Sequence, residues 1–239
     1  MSYAALTRDD PNALKRWLQR RRLHDALRFG LRAAAGAERI VDYGAGDGAL
    51  AAMALQAFAG AEVVAFEPAA DLAREAEAAL GAGRVVREER ALGDGWADLL
   101  FCTEVFEHLP PRESDGALDA IARVLRPGGA LIIGVPIEIG APALAKGLFR
   151  WARRPSAFDA RWRGIALAAF GKAPAPRPAN EIAPGRAYHP HHLGFDHRTL
   201  IAALRLRFDI ERVAGSPFAG FPLWMNSELT VIARRRADG

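Results

Sequence analysis

Cysteine is almost absent from this chain. The single one among 239 residues, Cys102, leaves no internal disulfide framework and suits a reducing compartment. Long hydrophobic runs are missing too: none approaches the ~20 residues of a membrane span. The opening MSYAALTRDDPNALKRW has no apolar stretch behind a basic start, so no secretory signal is expected and a cytoplasmic setting is. Neither sign of charge is in great excess. A formal net charge of +4 is too small to argue for nucleic acid, and no such partner is expected. There is no internal repeat. What is present is a hydrophobic content of 51%, enough for one substantial domain with a full core.

Short apolar runs alternate with helical stretches. Asp9-Asp10-Pro11 reads as a helix start, with a carboxylate cap and proline in the first turn. That helix should run to about residue 35, with an apolar stripe of Leu14, Trp17, Leu18, Leu27 and Leu31 and a solvated basic patch of Arg20, Arg21 and Arg22. Strands are expected at 39–43, 62–66, 84–87, 97–102, 130–135, 208–213 and 228–234. Helices are expected at 49–59, 70–80, 113–125 and, capped by Asp196, up to about 206. Strand–helix alternation predicts an α/β fold: a Rossmann-like, doubly wound, mostly parallel seven-stranded sheet with helices on both faces. Residues 1–239 read as one domain, comprising an N-terminal helical region (1–37), a core (38–136), a lid-like insertion (137–188) and a tail completing the sheet (189–235).

VDYGAGDG, residues 41–48, places Gly44, Gly46 and Gly48 directly after the first strand, where open α/β sheets bind ligands. Alternating glycines let a backbone approach a ligand and let the next helix start tightly. At the end of the second strand, AFEP puts Glu67, followed by Pro68, where a carboxylate can accept both hydroxyls of a ribose. A nicotinamide dinucleotide and S-adenosylmethionine both fit this much. Asp42 ahead of the glycines and Asp47 among them favour a cationic ligand, since a pyrophosphate would be repelled.

With these residues in view, the sequence resembles a class I S-adenosylmethionine-dependent methyltransferase of the small-molecule type. VDYGAGDG is similar to that family's first motif and AFEP to its second; ADLLFCTEVFEHLP (97–110) resembles its fourth-strand segment, and VLRPGGALIIGVP (124–136) the helix, turn and fifth strand. A weaker likeness covers 189–235. The resemblance implies S-adenosyl-L-methionine as cofactor and S-adenosyl-L-homocysteine as product. It implies that Asp42, Gly44, Ala45, Gly46 and Gly48 hold the methionine part, that Glu67 and Pro68 border the ribose, and that the chain near Glu89 touches adenine. Thr103 and Glu104 would line the methionine end. The alternatives are an NAD(P)-dependent oxidoreductase and a non-catalytic cofactor-binding protein.

Methyl transfer asks for alignment and, for some acceptors, a base near neutrality. His108, after the fourth strand, is the first candidate, with a structural histidine as the alternative. In Tyr188-His189-Pro190-His191-His192, His192 or His189 could assist it or bond substrate oxygen. A metal is not expected from this cluster: it lacks cysteines, a proline breaks its spacing, and no partner ligand is evident. The insertion is basic, with nine Lys/Arg against three Asp/Glu. Leu144, Leu148, Trp151 and Ala152 gather on one helical face, opposite Lys146, Arg150, Arg153 and Arg154. The segment 143–170 therefore reads either as a lid packing its apolar face over the pocket, or as a peripheral membrane contact serving a lipid-like acceptor.

Overall fold

The computed structural model describes residues 12–237. Its core is a seven-stranded sheet ordered β3-β2-β1-β4-β5-β9-β8, where β1 is Arg39–Tyr43, β2 Glu62–Phe66, β3 Val85–Val86, β4 Ala97–Thr103, β5 Leu125–Pro136, β8 Phe208–Ser216 and β9 Glu228–Arg235. β1 to β5 pair in parallel, and β9 runs antiparallel between β5 and β8. The mostly parallel seven-stranded expectation is met. Side chains alternate along β4, as a strand buried on both faces requires. Leu99 and Phe101 join α1 (Ala13–Ala33) and α2 (Ala49–Ala57) in one core, while Leu100 and Cys102 join α4 (Pro111–Val124) and α7 (His197–Leu204) in the other. α3 (Ala70–Leu80) packs beside β3.

Three expectations change. The N-terminal cap at Asp9-Asp10-Pro11 and the Leu14 side chain lie outside the described residues. The buried face of α1 is Ala26, Phe29 and Gly30 rather than the Leu/Trp stripe: Trp17 is exposed, and Leu27 and Leu31 are half-buried flanks. Gly30 sets this rotation, since a Cβ there would come within 2.4 Å of the Phe101 ring. Arg22 does not belong to a solvated patch; it pairs with Glu104 at 2.6 Å, because a carboxylate buried at a strand end needs a cation. The Arg126-Pro127-Gly128-Gly129 turn is absorbed into β5 as a bulge, with the register shifting between Ala97 and Leu99.

The insertion has more order than its sequence suggests. It folds as α5 (Ala141–Arg153), α6 (Trp162–Ala169) and a hairpin of β6 (Asn180–Ala183) and β7 (Arg186–Tyr188), a two-stranded sheet of its own. α5 is turned opposite to the lid expectation. Its inner face consists of small residues: Ala143 is buried, and a Cβ on Gly147 would come within 2.6 Å of Ile165 on α6. Arg150 and Lys146 also point inward, both onto Glu138, which has no exposed surface. Leu144, Leu148, Phe149 and Trp151, the last 44% exposed, face solvent. Trp162 of α6 extends this patch by ring contact with Trp151 at 5.4 Å. Among the described residues, no helix is long and apolar enough to cross a membrane.

Candidate active site

The carboxyl ends of β1, β2 and β4 open onto a cleft of about 550 Å³. Its floor includes Gly44, Gly46, Glu67, Pro68 and Glu104, its far end Glu89, and its other wall His108; Ile182 to Tyr188 of the hairpin form the roof. A smaller recess of about 70 Å³, sharing Gly44, Gly46 and Glu104, is lined by Asp42, Ala45, Asp47, Thr103 and Arg22. Of the residues singled out in the sequence for the cofactor or for catalysis, Gly48, His189 and His192 line neither space.

The glycines do work inside the protein first. Gly44 and Gly48 have φ of 76° and 78°, and a Cβ at Gly48 would press on Ala76 of α3 at 3.1 Å. Gly48 thus seats α2 against α3. The Gly46 N–H donates to Glu67 Oε2 at 2.9 Å, and the Ala69 N–H to Glu67 Oε1 at 2.9 Å. Each carboxylate oxygen keeps a lone pair toward the cleft. Glu67 thereby ties the glycine loop to β2 and stays on the cleft floor. Burial raises its pKa, against the pull of these two N–H groups.

Asp42 Oδ2 accepts the Ala51 N–H at 3.0 Å, bracing the start of α2. Burial lifts its pKa to about 7, with Glu67 and Asp47 adding to the rise. Glu104 sits at φ 58°, a left-handed conformation uncommon for a residue with a side chain, and this holds its carboxyl at the junction of the two spaces. Burial raises its pKa to about 7 despite Arg22. An acidic recess beside a glycine loop suits the ammonium and sulfonium of a cationic ligand. At the far end, the Tyr43 hydroxyl bonds Glu89 Oε1.

His108 is pinned from the returning chain. Its Nδ1 lies 2.7 Å from the His189 carbonyl, which only accepts, so Nδ1 carries the proton and Nε2 is bare. The His189 N–H donates to the His108 carbonyl at 2.7 Å. Tyr188 stacks on the His108 ring at 4.5 Å. His192 Nε2 lies 3.2 Å from His108 Nε2. Burial pushes the His108 pKa down to about 4 and that of His192 well below its ordinary value. His189 does not present its ring to a substrate: its Nδ1 faces the Pro178 carbonyl at 2.8 Å. His191 approaches Asp159, and His197 starts α7. Sequence reasoning missed Arg22, Tyr43, Tyr188 and Glu107. The first was hidden in an arginine run, and the last stands inside the quoted Glu-His-Leu stretch.

Residues 41–133 match a family model described as a methyltransferase domain. No curated protein sequence matches the chain. Among solved structures, the chain is similar to the N-methyltransferase NodS of Bradyrhizobium japonicum in complex with S-adenosylhomocysteine, at 14% identity and TM-score 0.57, covering 98% of this chain and 97% of that one. It is similar to the 1,6-didemethyltoxoflavin-N1-methyltransferase of Burkholderia thailandensis, at 18% identity and TM-score 0.56, over 98% and 85%. It is also similar to the magnesium protoporphyrin IX methyltransferase of Synechocystis with bound S-adenosylhomocysteine, at 17% identity and TM-score 0.57, over 97% and 91%. At such identities these likenesses speak for the fold. The family match covers β1 to β5, the strands whose ends carry the glycine loop, Glu67 and the Glu-His-Leu turn: residues 41–133 carry a methyltransferase domain, on a fold shared with methyltransferases solved with bound S-adenosylhomocysteine.

Proposed function

We propose that the cleft binds S-adenosylmethionine along the strand ends and moves its methyl group to an oxygen, nitrogen or carbon of a small or lipid-like acceptor held under the hairpin. What carries this reading is the convergence of the glycine loop, Glu67, Glu89, Glu104 and His108 on one cleft. Asp42, Ala45, Thr103 and Glu104 surround the methionine end, beside Gly44 and Gly46; Glu67 and Pro68 meet the ribose, and Glu89 stands nearest the adenine. Gly48 contributes by seating α2. The cofactor supplies an activated methyl group. The protein aligns the acceptor with it and excludes water through the roof. His108, its ring oriented by the His189 carbonyl, would take an acceptor's proton on Nε2 in exchange for the contact with His192 Nε2. Small-molecule acceptors in the toxoflavin and protoporphyrin enzymes support a small-molecule acceptor here. Calorimetry with S-adenosylhomocysteine tests the site: Glu67→Ala should bind more weakly than wild type, and unchanged affinity would refute the ribose assignment.

A second reading concerns where the enzyme works, and the outward apolar face of α5 favours it. Leu144, Leu148, Trp151 and Trp162, bordered by exposed Arg153, Arg161 and Arg163, have the make-up of an interfacial membrane surface. Each basic residue near an anionic bilayer adds about 1 kcal/mol. A peripheral position there would deliver a lipid-like acceptor to the cleft. Sedimentation with anionic liposomes tests it: salt-sensitive binding that is lost on Trp151→Ala/Trp162→Ala supports the reading, and no binding at low salt refutes it.

A further inference from the structure

Glu107 has no exposed surface, and neither of its carboxylate oxygens has a hydrogen-bond partner. Among the described residues its one ion-pair contact is the His108 ring, with Nε2 3.9 Å from Oε1. Arg22 is already engaged by Glu104, and Lys146 by Glu138. The Arg177 guanidinium reaches the Glu107 backbone carbonyl, not its side chain. Burial pushes the Glu107 pKa up to about 8, so without a cation its carboxyl stays neutral near pH 7. Beside it stand two imidazole Nε2 atoms, 3.2 Å apart, and the three candidate donor atoms all lie within 4.8 Å of one another.

We propose that Glu107, His108 and His192 bind a divalent cation of the zinc type, whose open position faces the acceptor end of the cleft. Bonds of about 2.0–2.2 Å in a tetrahedral site put neighbouring donors roughly 3.3–3.5 Å apart. The two imidazole nitrogens already stand near that spacing, and the carboxylate must close by about half an ångström on His108 and by up to roughly 1.4 Å on His192 to reach it. The His189 carbonyl fixes His108 with its proton on Nδ1, which frees Nε2 for a metal; an outer partner of this kind commonly orients a ligating histidine. A hydrogen bond from His192 to His108 would engage only the two rings, whereas a cation engages both rings and the Glu107 carboxylate together. Two imidazoles and one carboxylate favour zinc over magnesium, which prefers oxygen and water. Three protein ligands leave room for a fourth from the substrate, and His108 lies on the cleft wall. The inference rests on the placing of the acceptor beside His108. It assigns polarisation of the acceptor's oxygen or nitrogen to the cation, with His108 as its ligand.

The experiment uses the full chain without an affinity tag, loaded with Zn²⁺, dialysed against metal-free buffer and assayed by elemental analysis. Wild type should retain about one equivalent. Glu107→Gln and His192→Gln should each weaken retention by at least about 10-fold. Titration of wild type with Co²⁺ should give a visible absorption band that saturates at about one equivalent and is displaced by Zn²⁺, a readout independent of any variant's folding. No retained zinc together with no cobalt band overturns the proposal, as does equal retention by folded variants. S-adenosylhomocysteine affinity, measured on the same samples, separates this from the cofactor reading: it should persist in metal-free wild type whether or not the cation site exists.

Discussion

Protonation of Asp42 should govern cofactor affinity near neutral pH. In the free protein its carboxyl is pushed up to about 7 by burial. To hold an ammonium it must ionise, so ligand binding releases a proton wherever the free carboxyl is protonated. With a free pKa of about 7, roughly one tenth is ionised at pH 6 and nine tenths at pH 8. Affinity for S-adenosylhomocysteine should therefore rise about 10-fold across that interval, or about 1.4 kcal/mol. The perturbation is Asp42→Asn, which keeps an oxygen for the Ala51 N–H but cannot ionise. Its affinity should be lower at pH 8, and the wild-type-to-variant ratio should collapse toward pH 6. Titration of the ligand's own amine is common to both proteins and cancels in that ratio. Calorimetry at pH 6, 7 and 8, in two buffers of different ionisation enthalpy, reads affinity and released protons together. The same shift has a consequence for stability. A carboxyl raised from 3.8 to about 7 stabilises the fold fully below pH 3.8 and loses that contribution as pH rises through 7. The gap corresponds to about 4 kcal/mol at most, so the ligand-free Asn variant should melt higher than wild type at pH 8. A ratio that stays flat from pH 6 to 8, or one that moves the other way, would refute the reasoning.

Other outcomes follow from the same geometry. Glu67→Gln should weaken S-adenosylhomocysteine binding by about 10-fold or more, because its amide turns a donor toward the Gly46 or Ala69 N–H; calorimetry reads it. His108→Ala should lower turnover while leaving the dissociation constant for S-adenosylhomocysteine nearly unchanged, and an equal loss in both would place the residue in the cofactor site. Gly30→Val should destabilise the fold by about 1–3 kcal/mol in urea melts, since the Phe101 ring occupies the space the new side chain needs.

The sheet was legible because its signals are local. Apolar runs such as Ile40-Val41 and Leu99-Leu100-Phe101, separated by helical stretches, leave few alternatives to a buried parallel strand order, and the glycine loop and Glu67 occupy adjacent strand ends. The face of α5 was not legible, because the helical wheel shows segregation but not direction. Glu138, outside the helix, decides it by drawing Lys146 and Arg150 inward, while Ala143 and Gly147 allow α6 to approach. The Glu107–His108–His192 cluster joins positions 84 residues apart through a hairpin that composition alone did not announce. Arg22 was obscured for a related reason: its partner, Glu104, lies at the far end of another element.

The paired contacts between His108 and His189 link the roof to the proposed base. Lifting the hairpin breaks the His189 N–H bond to the His108 carbonyl and the Nδ1–H bond to the His189 carbonyl, together with the Tyr188 stack. Two such bonds are worth a net of about 1–3 kcal/mol, and the Tyr188 stack adds to them. In the raised state the His108 imidazole is free to take either tautomer and any rotamer, and in the lowered state it has one of each. The contacts that roof the cleft are thus the same ones that fix the His108 ring.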